Sequence, residues 1–269
     1  MAHPPAIVFM SHQATAPVIA AYRDLRDGIG GERDVFFLYD ETTIPRAETE
    51  LPAGPEIYAV HYDRLDLDTY PNWQVSFRDW TKKSYEKEGI YGGNLHLAVL
   101  EFVRRHPDFP AYWFVEYDVR FSGDWRRFFD AMDASDADLL ATTVRRYRHD
   151  PRWGWWPALL SPSGEVPHAE KIRAYLPIFR LSNRGCTVLD EMLREGWRGH
   201  YEVAVPTLLA LRNLAVEDIG GAGEFVPDGR QNLYYTNSHT PWLSPGTFRF
   251  RPTMSAPGPI ANKLWHPVK

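Results

Sequence analysis

Two carboxylates, Glu116 and Asp118, follow the apolar run Tyr112-Trp113-Phe114-Val115 with only Tyr117 between them. Side chains alternate along a strand, so a strand continuing through this point directs both acids to one side. Unpaired charge beside an apolar run is costly to desolvate. A hard divalent cation, Mg²⁺ or Mn²⁺, takes oxygen ligands and offsets that cost. A solvated strand end or an ion pair with Arg120 accounts for the same residues without a metal.

Other residues offer chemistry of their own. Gly92-Gly93-Asn94 precedes a helical pattern and could bring backbone donors, with Asn94, to a ligand. It lacks a phosphate-loop spacing and also reads as a turn. Trp153, Trp155 and Trp156 stand among Gly and Pro, where they either stack on a sugar ring or stiffen a lid. Arg145, Arg146 and Arg148 suit a phosphate or an acidic acceptor, or a solvated surface. Cys186 is the single cysteine, which excludes an intrachain disulfide and a cysteine-clustered zinc site. A small packed side chain is its simpler reading.

These groups need a frame. Residues 6–11, 35–39 and 57–60 read as buried strands, and residues 17–25 as a helix stopped by Gly28, Gly30 and Gly31. Leu95, Ala98, Val99 and Phe102 recur at helical spacing, with Pro107 and Pro110 limiting continuation. Residues 112–115 form the strand that delivers Glu116 and Asp118, and Trp125, Phe128, Phe129 and Met132 mark the next helix. Residues 138–144 read as a strand, 153–168 as an irregular insertion, and 178–181 as a short strand. A helix through Val188, Leu189, Met192 and Leu193 follows, with Ser182 as N-cap and a stop at Gly196. Glu202 stands immediately before a further helix, where Pro206 is acceptable in the first turn. From Phe225 onward turn residues predict a loop-rich tail. Alternating strands and helices imply one α/β domain with a mostly parallel central sheet and helices on both faces. Ligands of such sheets sit beyond the carboxyl ends of the strands, where Asp118 falls.

Composition narrows the class. The 269 residues are 44% hydrophobic and 24% charged, ordinary for a folded domain with a sizeable core. The formal charge of -5 comes from intermixed acids and bases, with no basic stripe for nucleic acid. No apolar run approaches the roughly 20 residues of a transmembrane helix. With no basic-then-apolar leader pattern at its start, the chain is expected to be cytoplasmic.

The segment from Tyr112 to Val119 resembles the acidic, metal-binding strand end of GT-A glycosyltransferases, though the usual Asp-any-Asp has Glu116 in first place. The resemblance implies a GT-A-like Rossmann-type domain that binds a nucleotide-diphosphate sugar through Mn²⁺ or Mg²⁺ at Asp118, with Glu116 and Tyr117 beside it. The closing segment Asn262-Lys263-Leu264-Trp265-His266-Pro267-Val268-Lys269 resembles the late His that some of these enzymes return to the metal. It implies His266 as a ligand, with Lys263 or Lys269 for diphosphate charge. Gly199-His200-Tyr201-Glu202 resembles the acceptor-side segment carrying the acidic base of inverting members. It implies Glu202 as base and His200, with the three Trp, near the acceptor. A helix start would favour ionised Glu202, although the same acid could merely cap its helix. Ser11 and His12 are placed to meet the nucleotide, or to close their turn.

The resulting expectation is a metal-dependent, inverting glycosyltransferase that takes a nucleotide-diphosphate sugar donor and a carbohydrate or other hydroxyl-bearing acceptor. Residues 1–145 form the nucleotide-sugar half, 146–224 the acceptor half and 225–269 a wrapping tail. A sugar-phosphate nucleotidyltransferase is the nearest alternative, without a clear Gly-rich basic loop for triphosphate; a noncatalytic carbohydrate-binding protein is the other.

Overall fold

Uninterrupted apolar runs become the inner strands. In the computed structural model, which describes residues 3–66, 68–71 and 93–269, β1 (Ala6–Ser11) is buried along its whole length between β2 (Val35–Asp40) and β4 (Ala111–Glu116). Strands covered on both faces read as continuous apolar sequence rather than as alternation. β3 (Ile57–Val60) extends the sheet beyond β2. β6 (Leu139–Arg146), β9 (Ile172–Ser182) and β10 (Val216–Asp218) complete it on the other side, in the order β10-β6-β9-β4-β1-β2-β3. β9 alone runs antiparallel to its neighbours. The small pairs are β5 (Arg120–Phe121) with β11 (Leu264–Trp265), and β7 (Leu160–Ser161) with β8 (Gly164–Glu165).

Five helices among the described residues cover the sheet. Odd residues of β1, Ile7 and Phe9, pack with α1 (Ala16–Ile29) and α3 (Trp125–Asp133). Even residues, Ala6, Val8 and Met10, pack with α2 (Leu95–Arg105), α4 (Asn183–Arg194) and α5 (Tyr201–Leu211). The period-2 alternation of β1 thus divides the core into two layers. No helix among the described residues is long and apolar enough to cross a membrane.

Local signals explain the ends. α1 begins with Pro17 in its first turn and stops at Gly30, whose φ of 68° is left-handed. Ser182 caps α4, its hydroxyl accepting from the Gly185 N–H at 2.9 Å while donating to Asp138 at 2.7 Å.

Two expectations need correction. Pro206 is the sixth residue of α5, beyond the first turn, so the bond its N–H would give to the Glu202 carbonyl is missing. Burial of Val203, Ala204, Val205, Leu208 and Leu209 holds the helix nonetheless. The short strand at 178–181 is an 11-residue strand, because Arg173, Tyr175 and Pro177 break its apolar pattern without breaking its pairing. Pro177 falls where β9 slips register against β6 and precedes its ladder with β4, a position that asks no donor of it.

Candidate active site

β4 ends in a turn. The Val119 N–H donates to the Glu116 carbonyl and the Tyr117 N–H to the Met10 carbonyl, both at 3.0 Å. Asp118 is almost completely buried by this turn. Arg120 donates to the carbonyls of Tyr117 and Val119 at 2.7 and 2.8 Å, so it braces the turn rather than pairing with the acids.

The tail supplies the third group. β11 pairs with β5, and beyond it the Val268 N–H donates to the Asp118 carbonyl at 2.8 Å. His266 Nε2 then lies 3.2 Å from Asp118 Oδ1 and 3.9 Å from Glu116 Oε2, while Lys269 Nζ is 3.4 Å from Asp118 Oδ2. One donor atom from each of Glu116, Asp118 and His266 lies within 4.8 Å of the others.

The chemistry of this set fits a divalent cation. His266 Nδ1 is 2.9 Å from the Arg249 carbonyl and 3.1 Å from the Tyr175 hydroxyl. A carbonyl only accepts, so Nδ1 carries a proton and Nε2 is the ring nitrogen turned toward the acids. Asp118 Oδ1 is buried with no hydrogen-bond partner among the described residues. Two carboxylates and a bare imidazole nitrogen repel unless a proton or a cation lies among them. One nitrogen and carboxylate oxygens suit Mn²⁺ or Mg²⁺. Burial, then Asp118 and Glu202, pushes Glu116 well above the usual carboxylate range. Burial also acts to raise Asp118, but His266 and Lys269 outweigh it and the net direction is down.

A cavity of about 490 Å³ opens at this point. Of the residues singled out from sequence, Ser11, His12, Glu116, Tyr117, Asp118 and Glu202 line it; so do Trp153, Trp155, His200, His266 and Lys269. Glu202 is the second residue of α5, and the His200 side chain caps that helix by accepting from its N–H at 3.3 Å. A helix start favours an ionised acid, but burial prevails and raises Glu202 to about 7, against the pull of Arg173 and a hydrogen bond from the Leu176 backbone. A carboxyl poised near neutrality is suited to accept a proton. Burial, helped by His96, lowers His200 to about 3, so its ring is neutral where it stacks on Trp155 at 4.5 Å. The Ser11 hydroxyl closes its own turn through the carbonyl and N–H of Gln13.

Lys263, Trp156 and Asn94 lie off the cavity, and Arg145, Arg146 and Arg148 are not among its lining residues either. Lys263 Nζ donates to the carbonyls of Asn232 and Leu233, tying tail loops together. Trp156 is buried in the core with its indole N–H on the Asp150 carbonyl at 2.8 Å. Asn94 is buried at the start of α2, where its carbonyl accepts from Tyr62. Gly93 does line the cavity, packed so closely on His200 that an added Cβ would meet the ring at 2.7 Å; Gly92 lies outside the described residues. Cys186 is buried, and burial pushes its thiol up to about 12, which removes it as a nucleophile.

Sequence reasoning missed Arg173, Tyr175, Asp150, His239 and Arg251, all of which line the cavity. Arg173 and Tyr175 alternate along β9, a signal visible as polar interruptions in an apolar strand. His239 and Arg251 sit on tail loops, which carry no periodicity.

No protein-family model matches the chain, and no curated protein matches it in sequence. Among solved structures it is similar to the mannosyltransferase Ktr4p from S. cerevisiae, at 12% identity over 81% of this chain and 68% of that one, with a TM-score of 0.45. It is also similar to the galactosyltransferase LgtC (12% identity, 79% and 72% covered, TM-score 0.41). A third is the 4-diphosphocytidyl-2C-methyl-D-erythritol synthase from Anaerococcus prevotii DSM 20548 (9% identity, 83% and 89% covered, TM-score 0.43). Function is read from this chain's own side chains.

Proposed function

We propose that this chain is a metal-dependent glycosyltransferase that moves a sugar from a nucleotide-diphosphate donor to an acceptor hydroxyl with inversion. The observation that carries the reading is one cavity holding both the Glu116–Asp118–His266 set and a separate buried carboxyl, Glu202. Glu116, Asp118 and His266 hold the cation, which when bound supplies positive charge to a departing diphosphate. Lys269, 3.4 Å from Asp118, adds a second positive charge there. Ser11, His12 and Tyr117 face the nucleotide side, and Trp153, Trp155 and His200 the acceptor side. Ionised Glu202 takes the proton of the acceptor hydroxyl as that oxygen bonds to the anomeric carbon. The bond from that carbon to the diphosphate oxygen breaks in the same displacement, and the configuration inverts.

Incubation with UDP- and GDP-sugars, Mn²⁺ and a panel of acceptors, followed by NMR of the anomeric proton, tests this. An inverted glycoside is expected; a retained one removes Glu202 from the role of base. Pyrophosphate released from a nucleoside triphosphate and a sugar phosphate, with no glycoside, assigns nucleotidyl transfer instead. Sugar binding indifferent to metal and nucleotide leaves a noncatalytic binding protein.

A further inference from the structure

Arg145 on β6 and Arg173 on β9 are direct cross-strand partners, each no more than 4% exposed. Like charges placed opposite each other on adjacent strands destabilise a sheet, and burial sharpens the cost. One carboxylate serves both: Asp150 accepts from Arg173 Nη2 and lies 3.9 Å from Arg145 Nη1. The other side-chain contacts of Arg145 use a single nitrogen, toward Asn237 at 3.3 Å and the Ser238 carbonyl at 3.5 Å. Nε and Nη1 of Arg145 and Nε of Arg173 are buried with no hydrogen-bond acceptor among the described residues. Buried donors in a native fold are normally satisfied, so these three nitrogens mark a missing partner.

The surroundings are basic. Arg146 and Arg148, from the same run, pair with Glu224 at the surface, which leaves Arg145 as the member turned inward. Arg173, Arg152, Arg251 and His239 line the cavity beside Asp150, in the same space as Glu116, Asp118 and Glu202; Arg145 is not among its lining residues but stands opposite Arg173 across the strands. The charge of Arg145 is the main influence pushing His239 below its ordinary value. Trp153 lies under the Arg173 guanidinium at 5.1 Å and holds it by a cation–π contact. Thr143, two residues before Arg145, has a φ of 52°, rare for a β-branched residue, at the irregularity that redirects the end of β6.

We propose that this arginine set receives an acidic group of the acceptor, a carboxylate or phosphate ester, so that the site takes anionic rather than neutral acceptors. The word acceptor rests on the transferase reading above; the anion site itself rests on the arginines. A planar guanidinium with free N–H groups matches an oxyanion in charge and geometry, and such bonds are about twice as strong as neutral ones.

Calorimetric titration of the full chain with glucose, glucuronate and glucose 6-phosphate, in the presence of Mn²⁺ and UDP or GDP, reads this directly. Both acidic sugars are expected to bind about ten- to a hundredfold more tightly than glucose, and their ranking separates carboxylate from phosphate. Arg145→Gln should cut the preference to below about threefold with nucleotide affinity unchanged. Arg152→Gln, at an exposed cavity position, should weaken it in the same direction and serves if the buried variant fails to fold. Equal binding of the three sugars overturns the proposal. So does displacement of the nucleotide by the acidic sugars with loss of nucleotide affinity in the arginine variants, since these arginines would then serve the donor diphosphate. Absence of Mn²⁺-dependent nucleotide binding beside an intact preference for acidic sugars withdraws the transferase reading and leaves the anion site standing.

Discussion

Glu202 concentrates the chemistry at the residue scale. Burial raises its pKa from an ordinary 4.5 to about 7, so the ionised, proton-accepting form is gained as pH rises through neutrality. The pH profile of kcat/KM should therefore climb to a plateau with an apparent pKa near 7. Glu202→Gln should abolish that limb, lower transfer by about 10²–10⁴-fold and leave nucleotide binding intact. Stability moves oppositely. Between pH 4.5 and 7 the folded chain holds a proton that the unfolded chain releases, so the stability owed to the protonated form is lost as pH rises through that window. At pH 8 the Gln variant should consequently be more stable in urea unfolding, by on the order of 1–3 kcal/mol. A Gln variant that keeps full transfer activity contradicts the assignment.

His266 gives a second test at this scale. Its Nδ1 is fixed by the Arg249 carbonyl and the Tyr175 hydroxyl, which leaves Nε2 facing the acids. His266→Ala should reduce Mn²⁺ affinity by at least about tenfold, measured by calorimetry. Tyr175→Phe, which removes one contact to the ring, should weaken it less while leaving the fold unchanged in circular dichroism. Unchanged Mn²⁺ affinity in His266→Ala removes the tail from the metal site.

At the scale of elements, the frame and the site separate cleanly. Ser182 caps α4 and binds Asp138, away from the cavity. Ser182→Ala should cost about 1–2 kcal/mol in unfolding free energy and leave Mn²⁺ affinity alone. Elements were legible from sequence where one physical demand governs them. β1, β2 and β3 are short apolar runs because both faces are covered, and their extents follow from that alone. β9 answers two demands: it completes the sheet through Ile178, Phe179 and Leu181, and it turns Arg173 and Tyr175 to the cavity. Its pattern was readable only in the first half of that role. α5 hid its Pro206 for a related reason, since burial rather than backbone bonding holds that turn. The acids of β4 were readable as a pair, but the turn that brings Asp118 back to Glu116 depends on bonds to Met10 and Val268 from distant segments.

On the scale of the whole molecule, one cavity is assembled from the carboxyl end of β4, the start of α5, the polar side of β9 and loops of the tail. Residues more than 80 positions apart, such as Asp118 and Glu202, meet there, and spacing along a chain carries no record of such a meeting. The cavity gathers acids that suit a cation, a buried carboxyl that suits proton transfer and arginines that suit an anion. Its central claim is linkage: the cation must belong to the nucleotide site. Titrating the chain with UDP and with GDP, each in Mn²⁺ and each in chelator, measures that linkage most directly. One nucleotide should bind at least about tenfold more tightly with Mn²⁺, and Asp118→Ala should erase the difference. Nucleotide binding of equal strength in Mn²⁺ and in chelator would contradict the account.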